Sequence, residues 1–282
     1  MPISHLKELS IHFRESGEGQ ALVILHGLGN NSQSWKHQLN ELKEHYRVIV
    51  WDAPGYGGSS DLKEEFREFS EFANVLKEFL DSLELDSIYL LGHSMGSAIA
   101  IDFASRFPHM VDALIISDAT RGAAGLGREE NEKKLQNRLN SIENLHPSEL
   151  ARKRVKALLA PNASAEVIKE AERIMSQVRL SGYRSVSYSL SNLNQMEILS
   201  SISVPTLVLC GELDQVTPVS ESKIFHELIP NSEFVIVPNT GHLCYQEDPK
   251  LFNQSVLNFL KKQKVAKKIE LNLCIRRGLL DG

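Results

Sequence analysis

The first 120 residues alternate short, almost wholly apolar runs with stretches of helical periodicity, and this alternation restricts the possible fold more than any other feature. Ala21-Leu22-Val23-Ile24-Leu25 and Arg47-Val48-Ile49-Val50-Trp51 carry too few polar residues for strands with one wet face. Such runs suit strands covered on both faces by helices, the environment of a parallel sheet. Ile88-Tyr89-Leu90-Leu91 and Val111 to Ile116 repeat the pattern, and Leu9 to Arg14 alternates in strand fashion. Phe69, Phe72, Ala73, Leu76, Phe79, Leu80 and Leu83 fall three and four apart, which predicts a helix over 66–83. A second helix is predicted from Met95 to Phe107. It stops there because the residue before Pro108 is pushed out of the helical region. Strand–helix alternation of this kind implies right-handed crossovers and an α/β, doubly wound sheet.

The pattern changes near Arg121. From about Arg128 to Leu199 only helical periodicity remains, with one stripe at Leu135, Leu139, Ile142 and Leu145 and another at Val167, Ala171, Ile174, Met175 and Val178. Strand character returns at Val204 to Cys210 and Phe234 to Val237, followed by a last helix from Pro249 to about Lys262. The expected organisation is therefore a core of residues 1–120 and 200–262 with a helical insertion at 121–199. Residues 263–282 are expected to be a disordered or appended tail. Five lysines among the eight residues from Lys261 to Lys268 open that region, before a run from Ile269 to Ile275 that alternates like an edge strand.

A net charge of −5 argues against nucleic acid as the main partner, which would call for a basic face. No stretch approaches the roughly 18 apolar residues of a membrane span, and no charged segment followed by an apolar run marks a secretory signal. Three cysteines, Cys210, Cys244 and Cys274, form neither an even set nor a metal spacing. The expectation is a cytoplasmic protein without a disulfide framework, metal or membrane anchor.

The chemistry concentrates where the predicted strands end. Ile88 to Leu91 runs directly into Gly92-His93-Ser94-Met95-Gly96, and a helix follows at once. A serine on so sharp a turn is lifted above the sheet at a helix N-terminus, where backbone N–H groups and the helix dipole favour a developing negative charge. Bulky side chains two residues either side would clash, which accounts for the glycines. Ser94 is the expected nucleophile. His93 is too close in the chain to act on it as base, since adjacent side chains on such a turn point apart.

The loop His26-Gly27-Leu28-Gly29-Asn30 follows an earlier strand. Its glycines allow the backbone to bend across the top of the sheet, so the Leu28 and Met95 N–H groups are the expected oxyanion donors. His26 is read as a brace for this loop, and Asp52 as an acceptor for the loop Asp52 to Ser59, which lacks the Lys-Ser/Thr ending of a phosphate-binding loop.

A serine hydroxyl needs a base. His242, in Asn239-Thr240-Gly241-His242 directly after the last strand, is the candidate. The acid that orients it is expected at Asp214, in Gly211-Glu212-Leu213-Asp214-Gln215-Val216-Thr217-Pro218, with Asp118 after the preceding strand as rival. Glu212 is expected to point elsewhere, and Cys244 to be pocket wall rather than nucleophile. Gly27, Asn30, His93, Val216 and Leu243, which flank these motifs, are expected to contact substrate.

Together, His-Gly-Leu-Gly at 26–29, Gly-His-Ser-Met-Gly at 92–96, Gly-x-x-Asp-x-x-Thr-Pro at 211–218 and Gly-His at 241–242 resemble the α/β-hydrolase family over roughly Leu9 to Lys262. The resemblance implies a mostly parallel eight-stranded sheet, a helical cap after the sixth strand, and no cofactor. Epoxide hydrolases and haloalkane dehalogenases place aspartate at the nucleophile, unlike Ser94. Carbon–carbon bond hydrolases usually show Gly-Asn-Ser, and haloperoxidases Gly-Phe-Ser.

The stretch from Val178 to Asn194 is similar to the enol-lactonase and small-esterase branch. The implied activity is acyl-enzyme hydrolysis of a small or medium carboxylic ester. The alternatives are a lactone hydrolase of enol-lactonase or acyl-homoserine-lactonase type, and a slow-turnover ligand-sensing relative. Two further expectations concern the insertion: that it lines an apolar acyl pocket, and that no basic strip suited to a coenzyme A phosphate is present.

Overall fold

The structure, a computed structural model, describes residues 2–123 and 126–278. Eight strands form one sheet: β1 (Ile3–His5), β2 (Ser10–Ser16), β3 (Ala21–Leu25), β4 (Arg47–Trp51), β5 (Ile88–His93), β6 (Val111–Ser117), β7 (Thr206–Gly211) and β8 (Ser232–Val237). Their order is β1-β2-β4-β3-β5-β6-β7-β8. β1 and β2 pair antiparallel with their neighbours, and β4 through β8 run parallel. The expected mostly parallel, eight-stranded α/β sheet is present.

The apolar runs are uninterrupted because each face of the sheet has its own core. Along β3, Ala21, Val23 and Leu25 join one core while Leu22 and Ile24 join the other. β4 divides likewise, Ile49 and Trp51 against Val48 and Val50. The first face is covered by α2 (Phe69–Ser82) and α3 (Met95–Arg106) through Phe72, Leu76, Phe79 and Phe103. The second is covered by α1 (Lys36–Leu42) and α11 (Pro249–Gly278), with Leu42, Phe252, Val256 and Leu260. Each such aliphatic or aromatic side chain contributes roughly 1.5–3 kcal/mol when fully buried. α2 starts where the Glu71 carboxylate accepts the backbone N–H groups of Arg67 and Glu68 at 2.6 and 2.9 Å. This satisfies donors that the first turn leaves free.

Between β6 and β7 the chain forms α4 (Arg128–Asn144), α5 (Pro147–Leu158), α6 (Ala165–Met175), α7 (Leu180–Asn192) and the short α8 (Met196–Leu199). α4 packs on α7, and α5 on α6. Both predicted stripes are used: Leu135 and Leu139, and Ala171, Ile174 and Met175, are buried. The insertion is tied to the core rim by polar contacts. Leu62 N–H donates to Ser181 Oγ at 3.0 Å, Arg179 donates to the Ser59 carbonyl at 2.6 Å, and Arg121 pairs with Glu221. α9 (Val219–Leu228) and α10 (Cys244–Glu247) complete the core.

Three departures from the sequence reading stand out. β1 is too short to leave an alternation, and α1 has only seven residues, so neither is announced by the chain. The last helix does not end near Lys262, and the tail expected from residue 263 begins as its continuation to Gly278. No proline or glycine interrupts the chain between Pro249 and Gly278, and Lys, Gln, Ala and Leu are good helix formers. Residues 279–282 of the expected tail, and 124–125 of the expected insertion, lie outside the described residues. No helix among the described residues is long and apolar enough to cross a membrane.

Candidate active site

In a parallel sheet the strands end on one edge, and the loops beyond their carboxyl ends form the natural site for a ligand. The loops after β3, β5, β6, β7 and β8 carry Leu28, Ser94, Asp118, Asp214 and His242 in that order.

Ser94 sits between β5 and α3 with φ +53° and ψ −116°, a backbone conformation that L-residues rarely adopt. The turn is packed as the motif requires. A Cβ on Gly92 would lie 2.2 Å from the Gly96 carbonyl oxygen, and one on Gly96 would lie 2.3 Å from the Leu25 carbonyl oxygen. The Ser94 N–H donates to the Ser117 carbonyl at 2.9 Å, which anchors the turn to β6. Met95 is the first residue of α3, so its N–H belongs to the helix-end donors without an intrahelical acceptor. Leu28 lies in the loop after β3. There His26 spans the bend: its Nδ1–H donates to the Gly27 carbonyl at 2.9 Å, and its Nε2 accepts the Ala53 N–H at 3.0 Å.

His242 and Asp214 are both buried, with His242 Nδ1 donating to Asp214 Oδ2 at 2.7 Å. Asp214 is held on every side. Its Oδ1 accepts the N–H groups of Val216 and Thr217 at 2.7 and 3.1 Å, and its Oδ2 also accepts the Thr217 hydroxyl at 2.7 Å. Burial favours the neutral acid, but the hydrogen bonds from His242 and Thr217 outweigh it and hold Asp214 below the usual carboxylate range. Burial likewise favours neutral His242, but the bond to Asp214 and its charge raise the imidazole above its ordinary value. The His242 N–H donates to the Leu158 carbonyl at 2.7 Å, so α5 of the insertion fixes the histidine's backbone.

Asp118 lies in the same buried cluster: its ligand oxygen, that of Asp214 and a His242 nitrogen fall within 4.8 Å of one another. Three acid and imidazole groups so close could hold a metal, yet every oxygen of both carboxylates already accepts a protein donor. Asp118 Oδ1 accepts the Gly211 N–H at 2.9 Å, and its Oδ2 accepts the Ser117 hydroxyl and the Cys244 thiol at 2.6 and 3.2 Å. The cluster is a hydrogen-bonded chain in which Asp214, not Asp118, bonds the histidine. Burial pushes the Asp118 carboxyl up to about 7, with the His242 charge opposing.

A cavity of about 1190 Å³ opens on this edge, bounded by the core loops and by α4, α5 and α7. Ser94, His242, Gly27, Leu28, Asn30, His93, Val216 and Leu243 all line it. Asp214 and Met95 lie behind its wall. His93 also braces the histidine loop, its Nε2–H donating to the His242 carbonyl at 2.7 Å. Burial and the neighbouring His242 charge lower His93 to about 3, so it stays neutral. Cys244 is not pocket wall as expected. It is fully buried, and burial pushes its thiol well up. Glu212 accepts the Asn239 N–H at 2.9 Å and does point away.

The expectation of an apolar acyl pocket needs correction. Leu126, Leu145, Leu150 and Leu190 line part of the cavity, but Lys134 and Arg138 from α4 and Lys153 and Arg154 from α5 line it as well. These pairs lie on separate helices, so no linear strip announces them. Thr217 and Glu247 were also missed. Glu247 accepts the N–H groups of Gly241 and Ala160, both at 2.8 Å, joining the histidine loop to the end of α5. Thr217 was visible only as one letter of the Asp-x-x-Thr-Pro motif.

Comparison with known proteins gives a consistent pattern. A family profile described as alpha/beta hydrolase fold matches residues 20–249. A provisionally named 2-succinyl-6-hydroxy-2,4-cyclohexadiene-1-carboxylate synthase of Bacillus subtilis (strain 168) is 30% identical over 261 residues, covering 86% of this chain and 90% of its own. A 2-hydroxy-6-oxononadienedioate/2-hydroxy-6-oxononatrienedioate hydrolase of Paraburkholderia phymatum is 28% identical over 277 residues, 90% of this chain and 91% of its own. Among solved structures, a thermophilic esterase from Thermogutta terrifontis with malate bound superposes with a TM-score of 0.85 and 25% identity, covering 93% of this chain and 98% of its own.

Proposed function

The chain belongs to the alpha/beta hydrolase fold family and is a hydrolase, and from that premise we propose that it cleaves small or medium carboxylic esters or lactones through a covalent acyl-enzyme. The observation that carries this reading is the buried 2.7 Å bond from His242 to Asp214, on a histidine that shares a cavity with Ser94. Ser94 Oγ attacks the carbonyl carbon as His242 Nε2 takes its proton, and the carbonyl π electrons move to oxygen. The backbone N–H groups of Leu28 and Met95 receive the oxyanion. Its collapse expels the alcohol oxygen, which takes the proton from His242, leaving an ester on Ser94. Water, deprotonated by His242, repeats the sequence and releases the acid.

Asp214 keeps the proton of His242 on Nδ1 and stabilises the imidazolium that forms. The helices from α4 to α8 act as the cap that encloses the acyl group and excludes water. Their supports are the cavity they bound and the anchoring of His242 by Leu158. A lactone undergoes the same steps with its alcohol still tethered.

The test is steady-state hydrolysis of short-chain 4-nitrophenyl esters and of simple lactones, together with stoichiometric labelling of Ser94 by a fluorophosphonate. Continuous turnover that is lost on labelling supports the reading. One equivalent of nitrophenol and a stop would instead indicate a ligand-sensing relative. A second reading keeps the same residues and changes the substrate. The Paraburkholderia phymatum relative is named for 2-hydroxy-6-oxononadienedioate, and turnover of that compound with none of the esters would move the assignment there.

A further inference from the structure

We propose that the substrate carries a second, anionic group, a carboxylate, and that Arg138 on α4 and Arg154 on α5 bind it inside the cap. The proposal deepens the hydrolase reading above and rests on it. Among the described residues that line the cavity, five are cations and one, Glu221, is a carboxylate. Glu221 is already taken: Arg121 grips it with Nε and Nη2 at 2.8 and 2.7 Å. Lys134 is paired with Glu130 at 3.1 Å. Lys153, Arg138 and Arg154 have no carboxylate partner among the described residues.

Arg138 and Arg154 are both partly buried. Arg154 donates only to the Tyr183 hydroxyl at 3.3 Å, and its Nε is buried without an acceptor. Burial and the charge of Arg154 lower the Arg138 guanidinium, in keeping with two like charges lining one cavity. Leaving a half-buried cation unpaired is costly, whereas a carboxylate between two guanidinium forks would satisfy both.

The position also fits the chemistry. Arg154 and Leu158 lie one helical turn apart on α5, roughly 5–6 Å between Cβ atoms. The Leu158 carbonyl accepts the His242 N–H at 2.7 Å. Arg154 lines the same cavity as Ser94 and His242, so an anion on Arg154 and an ester carbonyl at Ser94 can belong to one substrate, which points to diacid monoesters. Arg154 also depresses the His242 imidazole, an effect that a bound carboxylate would offset.

The test compares 4-nitrophenyl hydrogen adipate with its neutral isostere, 4-nitrophenyl 6-methylheptanoate. The wild-type protein should prefer the adipate by about tenfold or more in kcat/KM, chiefly through KM. Arg138→Gln and Arg154→Gln should each lower that ratio by roughly 10- to 100-fold, the loss expected for a charge-assisted hydrogen bond. Raising the salt concentration should lower it as well. A wild-type ratio of one or less, with the neutral ester turned over, overturns the proposal and leaves the hydrolase reading standing.

If neither ester is hydrolysed, calorimetry with adipate decides independently. Binding by the wild-type chain that is lost in Arg138→Gln supports the anion site while the proposed ester cleavage falls, and no binding overturns the site. The wild-type comparison needs no variant to fold.

Discussion

Replacing Asp214 with asparagine tests the assignment of the acid most sharply, because the surrounding donors dictate how the amide must sit. Asp214 Oδ1 faces two backbone donors, the N–H groups of Val216 and Thr217, and Oδ2 faces His242 and the Thr217 hydroxyl. An asparagine must keep its carbonyl toward the two N–H groups, since turning it would leave both unpaired in a buried site, at about 1–3 kcal/mol each. Its NH₂ group then occupies the Oδ2 position and donates to His242 Nδ1. The proton of the imidazole is driven to Nε2, where it cannot accept from Ser94. The same forced tautomer in the serine-protease template lowers kcat about 10⁴-fold, or roughly 5 kcal/mol of transition-state stabilisation.

Asp118→Asn, by contrast, touches Gly211, Ser117 and Cys244 but makes no hydrogen bond to His242. We expect it to cost less than about tenfold, because His242 loses only a neighbouring charge, while the Ser117 hydroxyl and the Cys244 thiol can rotate to accept from the amide. The assay is kcat for 4-nitrophenyl acetate at pH 8, with thermal melts to confirm that both variants fold. If Asp118→Asn is the more damaging, the acid lies at the end of β6 and the reasoning fails.

Ser94→Ala should retain less than about a hundredth of wild-type kcat with an unchanged melting temperature, and His242→Ala a similar residue of activity, since the two act as a unit; active-site titration excludes wild-type contamination. The acidic limb of the pH–rate profile should lie above the ordinary histidine value of about 6.5, because Asp214 and Asp118 raise His242; it should move to lower pH in Asp118→Asn, and an unmoved limb would remove Asp118 from the electrostatics of the site. Asp118 also has a signature in stability. Its folded value of about 7 exceeds an unfolded value of about 4, so the folded state holds the extra proton and stability falls as pH rises from 4 to 7. Urea melts of Asp118→Asn should show that slope flattened. Finally, butyrate esters should be hydrolysed much faster than palmitate esters, without a jump above the solubility limit; a rate that climbs to palmitate would refute an enclosed cap.

How much of this was legible in the chain differs from one element to the next. β3 and β4 coincide with their apolar runs because a strand buried on both faces admits almost no polar residue, which leaves an unmistakable mark. The elbow at Ser94 was equally plain, since the demand on Gly92 is local to the turn and the one on Gly96, which packs against the end of β3, recurs wherever such a turn sits on a sheet. β1, with three residues, and α1, with seven, span too few periods to register. The continuation of the last helix past Lys262 is hidden because a polar, lysine-rich stretch reads as tail even where its propensity is helical.

The identities of Ser94, Asp214 and His242 as candidates, their chain order and the placement of an all-helical insertion came from the sequence by itself, through short-range rules of strand, turn and helix. Which carboxylate reaches the histidine did not. Asp118 and Asp214 both follow strands, and only the fold turns Asp214 Oδ2 to within 2.7 Å of His242 Nδ1 while spending Asp118 on Gly211, Ser117 and Cys244. The cations of the cavity were equally hidden. Arg138 and Arg154 look like ordinary solvated charges on two polar helices until those helices fold over one space and leave both guanidinium groups without a carboxylate among the described residues. Periodicity records which face of a helix is apolar. What a charged face meets across a cavity depends on contacts between residues distant in the chain, and these exist only in the tertiary structure.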